Sequence, residues 1–456
     1  MAKARLADMT AVALRDELAR GAVKAVEAAE ACLQRVAERE PQVQAFEHLD
    51  AGYVLHQAEA ADRYRGTGRT LGPLHGVPVG LKDIIDTRDL PTENGTVFDK
   101  GRRPREDAAV VDRLREAGAI VFGKTVTTEL AVFTPGKTRN PHDVARTPGG
   151  SSSGSAAAVG ASMVPLAIGS QTNGSVVRPA SFCGVVGFKP TRGLISRRGV
   201  LAQSGTLDQM GVFSRSVEDA ALLVEALCGH DDRDTLTSPA ARPDLLATAM
   251  SRPPVKPSLA FVRTPVWDKA GDEVREGLGE LISALGEPVE EIELPEFFGH
   301  AHDWHRKINM AELAHNYARY YDRDPALLSD RLRGMVEEGR AIHAPDYLAA
   351  LEGIPLLNAG LEQVFDRYDA IITPAAPGEA PLGEATGDPA FSTIWTYCGV
   401  PALTLPLLTG PHGMPVGVQL VGRRLYDGRL LRTARWLMTK LNEQEQRSDM
   451  NVGKVA

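Results

Sequence analysis

Cysteine is scarce, with four residues in 456, at positions 32, 183, 228 and 398. They form no Cys-x-x-Cys pair and have no histidine pair beside them, which excludes a thiolate zinc cluster and reads as reduced thiols. The start, Met1-Ala2-Lys3-Ala4-Arg5-Leu6-Ala7-Asp8, lacks the apolar core of a signal peptide, so a cytoplasmic protein is expected. There is no Lys/Arg block, and the net charge is −8, which argues against nucleic acid or an anionic membrane as the main partner. Internal repeats are absent as well. Hydrophobic residues make up 43% of the chain, ample for a large core.

Charge itself is missing from one place: the 31 residues between Arg146 and Arg178 carry none. The stretch reads Thr147-Pro148-Gly149-Gly150-Ser151-Ser152-Ser153-Gly154-Ser155, then Ala156-Ala157-Ala158-Val159, and closes on Thr172-Asn173-Gly174-Ser175. A flexible linker does not run on into Met163-Val164-Pro165-Leu166-Ala167-Ile168, which wants burial. A membrane span needs about 20 mainly apolar residues, and Gly, Ser and Pro165 interrupt every shorter run. What remains is a buried floor whose hydroxyls must find partners, and hence a place to look for chemistry.

Around this floor the periodicity alternates. Thr10 to Arg63 repeats apolar residues at helical spacing, an N-terminal helical layer over residues 1–68. Leu74 to Asp86 contains a short, glycine-punctuated strand ending at Lys82, and Asp107–Ala117 followed by Ala119–Phe122 is a helix feeding a strand. Ser216 caps a helix to Leu227. Residues 70–230 therefore read as a core, about 231–362 as a less regular stretch ending in a helical cap, 363–441 as a return to the sheet, and 442–456 as a loose tail. Trp304, His305 and Met310 are expected to pack within the cap. The alternation implies one α/β unit, a three-layer α/β/α sandwich around a large mixed sheet.

Three motifs compete for the chemistry. Gly118-x-x-x-x-Gly123-Lys124-Thr125 matches a phosphate loop, but a helix precedes it and Ala119-Ile120-Val121-Phe122 between the glycines is itself a strand. Gly150-Ser151-Ser152-Ser153-Gly154 matches the esterase elbow with Ser152 as nucleophile, but Thr147-Pro148-Gly149 replaces the strand that must precede it, no downstream Asp and His stand out as its triad partners, and His300, His302 and His305 fall in the expected cap. The third reading joins Lys82, Ser151 and Ser175. A serine needs a base, and a lysine serves only if desolvation makes it neutral near pH 7. Composition alone does not select these three from the other serines.

The block Gly149 to Val159, with Val164-Pro165-Leu166-Ala167-Ile168-Gly169, Thr172 to Ala180 and Cys183 to Thr191, resembles the amidase signature family. The likeness extends to Gly80-Leu81-Lys82-Asp83, to Leu207-Asp208-Gln209-Met210-Gly211 and to Pro415 to Gly422, weakest over about 230 to 360. It implies a nucleophile at Ser175, a bridging serine at Ser151 preceded by a cis Gly150–Ser151 bond, and Lys82 as base. Ser175 would then attack an amide carbonyl and form an acyl-enzyme, with the backbone amides of Thr172, Asn173, Gly174 and Ser175 holding the oxyanion.

Two departures from the family pattern stand out. Asn173 replaces a common glycine, and Asn tolerates a left-handed backbone. Ser175-Val176-Val177-Arg178 places arginine one residue late, as in malonamidase-like members, where the family uses it on a substrate carboxylate. In an extended segment that shift moves Arg178 to the opposite face. Gly150, Ser152 and Gln171 are further binding candidates. The resemblance implies no metal and no cofactor, and a small amide, arylamide, carbamate or ester substrate met by a monomer or homodimer. The alternatives are the glutaminase subunit of a tRNA-dependent amidotransferase, with stable partner subunits, and a catalytically silent binding subunit.

Overall fold

A computed structural model describes residues 6–452. Its eleven strands form one sheet in the order β1-β3-β2-β4-β6-β5-β10-β11-β9-β7-β8. The strands are β1 (Phe46–His48), β2 (Pro78–Lys82), β3 (Ile120–Thr125), β4 (Leu166–Gln171), β5 (Val186–Lys189), β6 (Gln209–Ser214), β7 (Leu259–Val262), β8 (Val289–Ile292), β9 (Ala370–Pro374), β10 (Ala402–Thr409) and β11 (Pro415–Val421). β2 runs parallel to both β3 and β4, and β7 runs parallel to β8 and β9, while the strands between these groups pair antiparallel. The sheet is thus mixed, as the alternating pattern implies. β2 to β6 are buried on both faces, which is why they read as continuous apolar runs.

Parallel pairing positions the lysine. With Leu81 opposite Ile168, the carboxyl ends of β2 and β4 lie side by side, so Lys82 ends its strand next to Ser170. Ligand sites in open α/β sheets form at such ends. The uncharged helix Ser153–Gly160 packs on β2 and β4 there, and the short helix Val177–Phe182 packs on β5, β10 and β11. Gly154 lets the first of them approach, since a Cβ at that position would lie 2.2 Å from the Ala45 carbonyl oxygen and 2.4 Å from the Val126 amide nitrogen. Both are backbone atoms that cannot swing away, so Gly154→Ala is expected to destabilise the fold by about 1–3 kcal/mol, read as a lower melting temperature.

Several expectations need correction. Phe46–His48 is a strand that pairs with β3, within the stretch expected to be wholly helical, and three residues are too few to show an alternation. The last helix runs Asp427–Val452, through most of the segment expected to be a loose tail, because Asn442-Glu-Gln-Glu-Gln-Arg is rich in helix formers. Residues 453–456 of that expected tail lie outside the described residues. The helix of the floor spans Ser153–Gly160. The helical stretch after 301 comprises Ala301–Asn316, Ala318–Tyr321, Asp330–Arg340 and Ala344–Phe365. No helix among the described residues is long and apolar enough to cross a membrane.

Candidate active site

Lys82 has no exposed surface, and its Nζ donates to Ser151 Oγ at 2.7 Å and to Ser170 Oγ at 3.0 Å. Burial favours the uncharged amine and pulls its pKa down to about 7, with Asp208 opposing the shift. Such an amine can take a proton from the serine it touches. Lys189 is also buried with a pKa near 7, so the shift does not single out a base. Geometry does. Lys189 Nζ is taken up by Gln209 Oε1 at 2.6 Å and by the Val400 carbonyl at 2.5 Å, and bonds no serine among the described residues.

Ser151 follows a cis Gly150–Ser151 bond and is almost completely buried. Ser175 lies just beyond β4, half-buried, and its hydroxyl has no hydrogen-bond partner among the described residues. The structure therefore brings Lys82 and Ser151 into direct contact and leaves the Ser175 hydroxyl accessible. The amides of Asn173, Gly174 and Ser175 donate to no backbone carbonyl among the described residues. The carbonyls of the same turn are occupied: His305 Nε2 bonds the Thr172 carbonyl at 2.8 Å, and Thr396 Oγ1 donates to the Asn173 carbonyl at 2.5 Å. A turn whose carbonyls are tied back and whose N–H groups are free suits an anion.

Asn173 does not use the left-handed backbone region that its residue type suggests. Its side-chain oxygen instead accepts from Thr393 Oγ1 at 2.7 Å. Gln171 is fully buried; its oxygen accepts the amides of Val176 and Val177 at 2.8 and 3.0 Å, and its Nε2 donates to Thr396 Oγ1 at 2.8 Å. Ser152 is equally buried and donates to the Ser170 carbonyl at 3.1 Å, away from the position an esterase elbow requires. Lys124, the lysine of the phosphate-loop match, is also buried and contacts Asp83 at 3.1 Å and Thr92 at 2.6 Å.

Arg178 sits in the first turn of the helix Val177–Phe182, so the extended segment assumed for it is not present. It is buried, and donates from Nε to the Thr386 carbonyl at 2.6 Å and from Nη2 to the Gly150 carbonyl at 2.7 Å, while Nη1 has no partner among the described residues. Burial lowers its pKa to about 10. The guanidinium thus ties the peptide before Ser151 to the loop at Thr386.

A cavity of about 510 Å³ opens beside Asn173. Its walls include Phe133, His305, Asn309, Met310, Arg331 and Asp388, so His305 and Met310 face a cavity and do more than pack within the cap. Trp304 instead stacks on His300. Burial lowers the pKa of His305 to about 4, which leaves it neutral and able to donate to the Thr172 carbonyl. Ser170, Asp208, Thr393 and Thr396 are not singled out by sequence: the first two come to the site through the register of β4 and β6, and the last two from the helix Ala390–Cys398, more than 200 residues after the turn they bond. Among the described residues one group, Glu47, His48 and Glu93, brings metal-type ligand atoms within 4.8 Å of one another. Glu47 already pairs with Lys137, and none of the three bonds to Lys82, Ser151 or Ser175.

A desolvated lysine amine bonded to a serine at the carboxyl end of a parallel strand pair is a base and hydroxyl of the kind that serine acyl transfer uses. The Amidase family profile matches residues 27–431, and the chain belongs to that family, whose members hydrolyse carbon–nitrogen bonds. The A subunit of glutamyl-tRNA(Gln) amidotransferase from a Synechococcus species is 36% identical over 464 residues, covering 92% of this chain and 95% of the relative. Among solved structures, a protein described as part of an unexpected vestigial complex that reveals the origins of an s-triazine catabolic enzyme superimposes with a TM-score of 0.89 at 28% identity, covering 94% of this chain and 98% of that one. The native peptide amidase from Stenotrophomonas maltophilia gives a TM-score of 0.83 at 29% identity, covering 95% and 97%.

Proposed function

We propose that the chain is a serine amidohydrolase that cleaves a linear amide-type C–N bond through an acyl-enzyme on Ser175, with Ser151 as bridging serine and Lys82 as base. The observation that carries this reading is the 2.7 Å contact between a fully buried lysine amine and Ser151 Oγ. Neutral Lys82 takes a proton from Ser151 as Ser151 takes one from Ser175, and Ser175 Oγ adds to the carbonyl. The free amides of Asn173, Gly174 and Ser175 support the oxyanion, each donor contributing about 3 kcal/mol in a comparable hydrolase. Protons then return along the same path to the leaving nitrogen, and water releases the acid. Carbamates and esters are within reach of the same steps. Phenylmethanesulfonyl fluoride is expected to add one covalent group by intact mass, and labelling that persists in Ser175→Ala would sink the assignment. Complete absence of labelling in the native chain would favour a silent binding subunit.

A second reading, the glutaminase subunit of a tRNA-dependent amidotransferase, is favoured by the 36% identity, across nearly the whole chain, to such a protein. The two readings share the acyl chemistry and differ in partners. A chain that hydrolyses amides alone at full rate supports the first, whereas glutamine hydrolysis that appears only with co-purified subunits supports the second. Arg331, in the wall of the 510 Å³ cavity, lies 4.1 Å over the Phe133 ring and has no carboxylate partner among the described residues. In both readings it suits a substrate carrying a carboxylate. Arg331→Gln is expected to raise KM for carboxylate-bearing amides about tenfold, with neutral amides unaffected in a side-by-side kinetic panel.

A further inference from the structure

Behind the lysine lies a second cavity, of about 190 Å³, that the acyl relay does not use. Its position is set by the antiparallel register of β4 and β6, in which Ser170 faces Met210 and Gln171 faces Gln209. One residue further along, Thr172 meets Asp208. Ser170, Thr172, Asp208 and Met210 therefore share one face of the sheet, and all four line this cavity. Lys82 reaches the same place through Ser170 Oγ at 3.0 Å.

Asp208 is held from three directions. Thr172 Oγ1 donates to Oδ1 at 2.6 Å, and the amides of Gln203 and Ser204 donate to Oδ2 at 2.8 and 2.9 Å. A carboxyl that meets only donors is held as a carboxylate. Burial raises its pKa, and these donors, with Arg197, oppose that rise without reversing it. The other charges around the cavity are already engaged. Arg197 pairs with Asp234, Arg198 with Asp112 and Asp231, and Arg233 with Glu106. From the helical stretch, His305 is neutral and donates to the Thr172 carbonyl, and the Tyr317 hydroxyl donates to the Leu130 carbonyl. Asp208 is thus the charge that bears on Lys82.

We propose that Asp208 is a positioning residue for the hydrolytic reaction, whose carboxylate ties the Thr172–Ser175 turn to the lysine side of the relay and sets the pH at which that relay turns on. The inference rests on Lys82 acting as the base. A fixed negative charge favours the ammonium, so its removal lets Lys82 become neutral at lower pH. The holding role works through Thr172, whose hydroxyl bonds Asp208 while its carbonyl is held by His305.

The test is the rate of phenylmethanesulfonyl fluoride labelling of the full chain, tracked by intact mass from about pH 5.5 to 9.5. Asp208→Asn is expected to move the midpoint of the acid limb down by about one unit and to lower the plateau rate about tenfold. Asp208→Glu, which keeps the charge, is expected to restore the midpoint while the plateau stays low. A midpoint that is unmoved or raised in Asp208→Asn overturns the proposal, since a purely structural role lowers the plateau without shifting the limb. Should Asp208→Asn fail to fold, Asp208→Ser is read in its place. A native acid limb whose midpoint stays put in Asp208→Asn overturns the role of Asp208 alone, whereas native labelling without an acid limb, or labelling that survives in Ser175→Ala, overturns the assignment of the relay and the role of Asp208 with it.

Discussion

Ser175→Ala is expected to lower kcat/KM by about five to six orders of magnitude with the fold intact, as deleting the nucleophile of a serine hydrolase does. Folding is expected to survive because Ser175 is half-buried and its hydroxyl bonds no other described residue, so alanine leaves no orphaned partner. The contrast with Ser152 makes the test specific. Ser152 Oγ donates to the Ser170 carbonyl and also accepts from the Ser170 amide at 3.3 Å, so Ser152→Ala strips β4 of two bonds beside Lys82. Its expected signature is a lower melting temperature together with partial activity and intact covalent labelling. Activity assays and intact mass on both variants decide the matter. A labelled Ser175→Ala protein, or an unlabelled but folded Ser152→Ala protein, would move the nucleophile to Ser152.

How far the fold and the site are legible in sequence depends on whether the relevant force is local. The uncharged stretch is legible because excluding charge over 31 residues signals burial wherever the chain goes. The strand ending at Lys82 and the cap at Ser216, whose hydroxyl accepts the Asp219 amide at 3.1 Å, are legible because propensity and capping act within a few residues. The large mixed sheet is implied by the alternation of periods. Ser170 and Asp208 are not legible as a pair. They lie 38 positions apart and come to line one cavity only through the register of β4 and β6. Arg178 defeats a sequence reading for a related reason. The turn Thr172–Ser175 leads into a helix one residue before it, so its one-place shift rotates the side chain about the helix rather than flipping it across a strand. The family likeness supplies the choice of Lys82, Ser151 and Ser175; the structure adds the contact between the first two.

Lys82→Met is expected to lower kcat/KM by about three to four orders of magnitude, the upper range for a general base. It also has a stability signature. Folded Lys82 loses its proton near pH 7, whereas an unfolded lysine keeps its proton to about 10.4. Below pH 7 both states are protonated, and folding must bury the full charge. Between those two values the unfolded chain binds the extra proton, so stability rises with pH across that window. Methionine fills a similar volume and titrates nowhere. The melting-temperature gap, methionine variant minus native, is therefore expected to be most positive near pH 6.5 and to narrow steadily toward pH 9.5. Lys189 titrates over the same range in both proteins and cancels from the difference. In parallel, native activity should rise through an apparent pKa near 7, the limb that Lys82→Met removes. A gap constant with pH would mean that Lys82 is charged in the folded enzyme, and a charged lysine cannot be the base.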